Sequence, residues 1–290
     1  MKFRKIAGIL LLASLSMGLL ACGGQKKQPG VTSEIASVAE DKPSSDGTDS
    51  QEASEDTKKP AIVDKTWEYK VDISWIDTDK PMVALSFDDG PVYSTGENST
   101  ATRIQNALSE NGMHATFFYW GSTLNGITQK EIERAYELGF ELGNHTKSHK
   151  DLSKLATSEE IEKEVEYMDK KLAEIADQEH FLVRPPYLGV NQRVKDTLIA
   201  PIITCGLDTK DWNNASAQQI IDTIVEAAEK GTLDGQIVLM HETYTTTAEA
   251  VEYLVPYLKE LGYQVVSISE MYCARGKTMA GGKVFTSCAK

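Results

Sequence analysis

Basic residues are in short supply. Lys and Arg total 30 against 43 Asp and Glu, giving a formal charge of −13 over 290 residues. The deficit lies in residues 66–290, which carry 21 basic and 34 acidic side chains. Neutralising a phosphate backbone needs clustered Lys and Arg, so nucleic acid is excluded as a partner. A neutral or zwitterionic glycan suits such a domain better than a polyanion. Long apolar runs are lacking too: Ile6–Leu20 is too short to span a membrane comfortably as a permanent helix. Internal repeats are absent apart from an alternation of strand and helix patterns. Histidine numbers only five, and three of these fall inside short polar signatures.

The N-terminus has its own character. Lys2, Arg4 and Lys5 precede the apolar run, which ends in Leu19-Leu20-Ala21-Cys22. An ordinary secretory signal reads this way. The Cys at that spacing resembles a bacterial lipobox, which implies a signal peptide over 1–21, cleavage before Cys22 and lipidation of its thiol. Acyl chains there anchor a protein to a membrane without spanning it. Residues 22–65, rich in Ser, Asp, Glu and Lys, lack apolar periodicity and read as a disordered tether. The expected place is therefore extracytoplasmic, on a bacterial membrane, as a monomer. Export permits disulfides. Cys273 and Cys288 form the expected pair, stapling a tail over 273–290 for about 3 kcal/mol, and Cys205 is expected as a buried free thiol.

After a lead-in over 66–79, strand patterns over 82–87, 115–120, 140–143, 181–184, 201–207, 236–240 and 264–267 alternate with helix patterns over 100–110, 129–138, 158–176, 191–198, 217–229 and 247–261. Continuous apolar strands separated by helices imply an α/β fold with a parallel sheet covered by helices. About seven βα units fit a closed or nearly closed barrel better than an open sheet.

Five signatures fall where these strands run out: SFDDGP (86–91), HTKSH (145–149), RPPY (184–187), DTKDW (208–212) and LMH (239–241). Asp-Gly alone can be a tight corner. Two adjacent carboxylates leaving a buried strand need partners, however; a cation can take one and an arginine the other. His145 and His149, four apart, can share a helix face or curl a loop around a metal, or simply sit in a solvated loop. Arg184 can grip a carboxylate through a charge-assisted pair, with Pro185 and Pro186 stiffening the turn. His241 alone would read as structural; beside Asp211 it gains a raised pKa and a fixed tautomer. His114 and His180 read as structural or surface residues.

In this order the five segments resemble the motifs of the polysaccharide deacetylase family, carbohydrate esterase family 4, over residues 80–272. The resemblance implies a distorted (β/α)-barrel of about seven parallel strands with its site at their C-terminal ends. It implies one divalent metal ion, zinc first with cobalt, nickel or manganese as substitutes, on Asp89, His145 and His149. Asp88 would be the general base, oriented by Arg184, and His241 the general acid, tuned by Asp211. The Tyr187 N–H would help bind the oxyanion, while Trp212 and Leu239 would wall the acetyl pocket. Ser86 stands where the family usually has threonine, with no effect expected on the chemistry. The implied substrate is an acetylated polysaccharide or oligosaccharide. N-deacetylation of N-acetylglucosamine units, as in peptidoglycan or chitin oligomers, leads. An O-acetyl esterase on xylan and a non-catalytic glycan-binding lipoprotein are the rivals.

Overall fold

The computed structural model describes residues 66–93 and 96–289. The signal over 1–21, the tether over 22–65 and the lipidation site Cys22 lie outside the described residues. The chain runs β1 (Met82–Gly90), α1 (Thr100–Glu110), β2 (Thr116–Tyr119), α2 (Gln129–Glu137), β3 (Glu141–Asn144), α3 (Ser158–Ala173), β4 (Leu182–Val183) and α4 (Gln192–Thr197). Then follow β5 (Ile202–Ile203), β6 (Leu207–Asp208), α5 (Ala217–Glu229), β7 (Ile237–His241), α6 (Thr245–Glu260), β8 (Gln264–Val266), α7 (Ile268–Ala274) and β9 (Val284–Phe285). Among the described residues no helix is long and apolar enough to cross a membrane.

The strands form one sheet in the order β6-β7-β1-β2-β3-β4-β5-β9, with β8 added against the first half of β1. Every ladder is parallel. This is the expected distorted barrel, curled but not closed, with nine strands among the described residues rather than about seven. The extra pieces have physical causes. The run expected as one strand over 201–207 breaks after Ile203 because its backbone changes partner. Thr204 N–H donates to Phe285 O, while Gly206 N–H donates to Ile237 O. The tail supplies the remaining strand, β9.

Side chains alternate along β1, as strand geometry requires. Val83, Leu85 and Phe87 join the larger core, packed against the helices. Met82 and Ala84 point the other way, into a second core with Phe118, Leu182, Ile237 and Val266. That inward row continues through Ser86 to Asp88, so it turns polar as it nears the strand's end. Helix α7, capped at Ser267 by a capping box with Glu270, packs its Ile268, Met271 and Tyr272 into this inner core. The lead-in adds Trp67, Tyr69 and Trp75 to the same cluster.

Cys205, Cys273 and Cys288 are free thiols, so the expected pairing of Cys273 with Cys288 is not formed. The tail is held without it. Tyr272 Oη donates to Ser287 O at 2.7 Å, Arg275 donates to Cys288 O, and β9 pairs with β5. Cys205 is half-buried. His114 and His180 are structural as read, bound to Glu270 (2.6 Å) and Asp169 (3.1 Å).

Candidate active site

All five polar signatures stand at C-terminal strand ends. Asp88 and Asp89 close β1, HTKSH follows β3, RPPY follows β4, DTKDW follows the first residue of β6, and His241 ends β7. Asp88 and His241 are register partners on neighbouring strands. Topology alone thus gathers residues up to about 150 positions apart.

Asp88 is buried, and its Oδ1 accepts from Arg184 Nη1 at 2.7 Å. Arg184 has no exposed surface at all. Its Nη2 donates to Ser86 Oγ at 2.9 Å and to Thr204 O at 3.2 Å, and its guanidinium lies 4.2 Å over the Phe118 ring. Ser86 Oγ in turn donates to Val238 O at 2.6 Å. The Ser86 hydroxyl is thus one of the groups that hold the arginine which holds Asp88, and threonine would supply the same oxygen.

Asp89 points elsewhere. Its backbone is left-handed at φ 68°, an uncommon state for a non-glycine residue. Asp89 Oδ1 lies 3.1 Å from His149 Nε2 and 3.4 Å from His145 Nε2. One ligand atom from each of the three lies within 4.8 Å of the others. His145 Nδ1 donates to Arg184 O at 2.7 Å, which fixes the tautomer and leaves Nε2 with its lone pair facing Asp89. Asp89 Oδ1 is buried and has no hydrogen-bond partner. An orphaned carboxylate oxygen met by imidazole nitrogens is the donor set of a divalent ion such as zinc. The residues fit the metal. Burial raises the Asp89 carboxyl, but the closeness of His145 and His149 and the charges of His145 and His241 outweigh it and hold the group far below its ordinary range.

The two histidines lie on a loop, not on a helix face. Thr146 (φ 73°) and His149 (φ 54°) are both left-handed, and side chains the sequence reading passed over hold them so. Asn144 Oδ1 accepts from Thr146 N–H at 2.9 Å. Glu164, on α3, accepts from Ser148 N–H at 2.8 Å and from Ser148 Oγ at 2.6 Å. Rings of Trp120 and Tyr187 meet His149 edge-on at 5.2 and 4.9 Å.

Opposite stands His241. Its Nδ1 donates to Asp211 Oδ1 at 2.8 Å, and its backbone N–H donates to Asp211 Oδ2 at 2.6 Å. Thr247 Oγ1, another residue unremarked in the sequence, donates to the same Oδ2 at 2.7 Å. Burial pulls the imidazole down, but the bond to Asp211 and the charges of Asp88, Asp211 and Asp89 outweigh it, leaving it at about 9. Tyr187 sits in a one-turn 3₁₀ segment at φ 57°. Trp212 follows Asp211 and is 51% exposed, whereas Leu239, on β7, is buried. Beyond Asp89 and His149 opens a cleft of about 520 Å³ lined by Tyr93, Trp120, Thr243 and Thr245 among others.

Residues 76–200 match the family model described as polysaccharide deacetylase. The solved structure of peptidoglycan deacetylase PdaC from Bacillus subtilis superposes with a TM-score of 0.61 at 30% identity, over 69% of this chain and 94% of that one. The chain belongs to the polysaccharide deacetylase family. A structure described as T48 deacetylase with substrate gives a TM-score of 0.64 at 30% identity, over 72% of this chain and 99% of that one. Among curated proteins, the B. subtilis peptidoglycan-N-acetylmuramic acid deacetylase PdaC is 31% identical over 68% of this chain and 40% of its own length. The peptidoglycan-N-acetylglucosamine deacetylase PgdA of Listeria monocytogenes is 31% identical over 70% and 41%. This family member thus spans about two fifths of the length of those two relatives. Deacetylases of this family use a divalent metal, and Asp89, His145 and His149 are the cluster able to hold one among the described residues.

Proposed function

We propose that this chain is a metal-dependent hydrolase that removes acetyl groups from a polysaccharide, with N-acetylglucosamine units of peptidoglycan or chitin oligomers as the leading substrate. The observation that carries the reading is the division of labour at the end of β1. Asp89 faces two imidazoles while Asp88, its neighbour, is gripped by Arg184 instead. One carboxylate serves an ion and the other is reserved for a proton.

Held on Asp89, His145 and His149, a divalent ion supplies Lewis acidity toward water and the acetyl carbonyl. Asp88 takes the proton of the attacking water, and Arg184 keeps that carboxylate aimed. The backbone N–H of Tyr187 donates to the developing oxyanion, a contact worth about 3–4 kcal/mol for one good donor. His241, protonated at neutral pH, gives its proton to the departing nitrogen, without which an amine anion would have to leave. Asp211, itself held by Thr247, keeps the His241 tautomer. Trp212 and Leu239 wall the methyl. The metal is zinc in this reading.

The remaining parts of the reading rest on the N-terminal sequence: an extracytoplasmic monomer, tethered to a bacterial membrane through lipid on Cys22. Radiolabelled fatty acid incorporation that survives in a Cys22→Ala variant would refute the anchor. For the activity, acetate release by the purified chain is measured on N-acetylchitooligosaccharides and on acetylxylan. Release from the former is expected, and Asp88→Ala or His241→Ala should abolish it in a protein that still folds. Undiminished release by both variants sinks the assignment, and exclusive release from acetylxylan replaces it with the O-acetyl reading.

A further inference from the structure

Beneath the turn that follows Asp89 lies a pair of acids that the reaction above leaves idle. Glu242, next after His241, is fully buried, and its backbone N–H donates to Asp88 O at 3.2 Å. Its side chain turns in against Gly90. A Cβ built on Gly90 would come within 1.4 Å of Glu242 Oε1 and 2.8 Å of Tyr119 Cε1. Glu131 reaches the same place from α2, 6% exposed, and its oxygens accept from Val92 N–H at 3.4 and 3.3 Å. The two buried carboxyl groups are close enough for each to bear on the other's protonation.

Among the described residues no cation pairs with them. Arg134, one turn along α2, is committed to Gln105 Oε1 and to Asn106 Oδ1. Neither oxygen of Glu242 nor the buried Tyr119 hydroxyl has a hydrogen-bond partner among the described residues. Two carboxylates cannot bond to each other; one must carry a proton. Desolvation drives both groups upward, and the Glu131 charge drives Glu242 further.

We propose that Glu131 and Glu242 share a single proton and act as positioning residues, clamping from below the turn that carries Asp88 and Asp89. The clamp touches that turn at three points: Glu242 N–H at Asp88, the Glu242 side chain at Gly90, and Glu131 at Val92. Asp89 lies between these points in its left-handed conformation, a state that persists only where the surroundings over-determine it. Glycine at 90 is part of the same device, since any side chain there would displace Glu242. The proton also limits the charge. Full ionisation would set two more anions behind Asp88 and Asp89; sharing one proton leaves one.

The activity arm of the test rests on the reaction proposed above, and the spectroscopic arm does not. Difference infrared spectra of the full chain at neutral pH, wild type minus Glu242→Gln, should show a protonated-carboxyl C=O band that the variant lacks. Absence of such a band overturns the shared proton whether or not the chain releases acetate. Gln keeps a donor of the same shape, so Glu242→Gln should hold kcat and zinc affinity within about threefold of wild type. Glu242→Ala should lose on the order of tenfold or more in both, as for groups that orient metal ligands, with KM little changed. Equal damage from Gln and Ala, or none from Ala, overturns the positioning role. Should the Ala variant fail to fold, the band and the Gln variant decide.

Discussion

Arg184 shows what one residue can demand of its neighbours. A fully buried guanidinium is costly unless its donors are met. Here one nitrogen is spent on Asp88, another on Ser86 and Thr204, and the flat face on Phe118. Lys carries charge but lacks the planar fork. Arg184→Lys should therefore lower kcat by about two orders of magnitude, the scale on which general base catalysis operates, while leaving zinc binding intact; unchanged kcat would show that Asp88 needs no such guide. His241 gives the second prediction at this scale. It must be charged to donate, so activity should fall as pH rises through about 9. Asp211→Asn removes the strongest influence holding it up, and burial then pulls it down. The alkaline limb should move lower by about one to two units, read from a pH–rate profile; an unmoved limb refutes the assignment of His241 as the acid. The motif residues themselves were legible because their chemistry is unusual at strand ends. Ser86, Thr247, Glu131 and Glu242 were not. A serine in a strand, a threonine and an acid on helices and an acid in a turn look like ordinary solvated positions until the fold buries them.

Among elements, the loop over 145–149 depends on a helix. Glu164 of α3 receives both polar hydrogens of Ser148, and the capping box at Thr157 and Glu160 starts that helix in place. Without the Glu164 carboxylate the loop loses its fastening and His149 its aim. Glu164→Ala should weaken zinc affinity by about 10–100-fold, measured by competition with a chromophoric chelator, with partial recovery in Glu164→Gln. An affinity equal to wild type would leave the loop self-supporting. Helix limits such as Ala217–Glu229 follow periodicity and caps closely, which is why the sequence marks them well. α7 escaped although Ser267 and Glu270 have the spacing of a capping box, because a seven-residue helix offers too little periodicity to notice. β5 and β6 read as one strand because a change of hydrogen-bonding partner leaves no mark on hydropathy.

For the molecule as a whole, the catalytic mouth and the inner core divide the sheet between them. The tail and lead-in complete that inner core. Trp67 N–H donates to Met279 O at 2.8 Å, and Thr66 bridges Ala280. Met279 is buried within the cluster. Met279→Ala should cost about 2–5 kcal/mol of stability, the usual range for emptying a Met-sized site. kcat at a temperature where the variant remains folded should not move. A variant as stable as wild type in denaturant titration would mean that this joint adds nothing.

One consequence of that joint concerns how the domain would be hung. Residues 66–75 lie against the floor of the barrel, where Trp75 bonds to Glu270 beneath β2, while Asp88, His149 and His241 open at its rim. Residue 66, where the described chain begins, therefore joins the domain at its floor, on the side away from the rim.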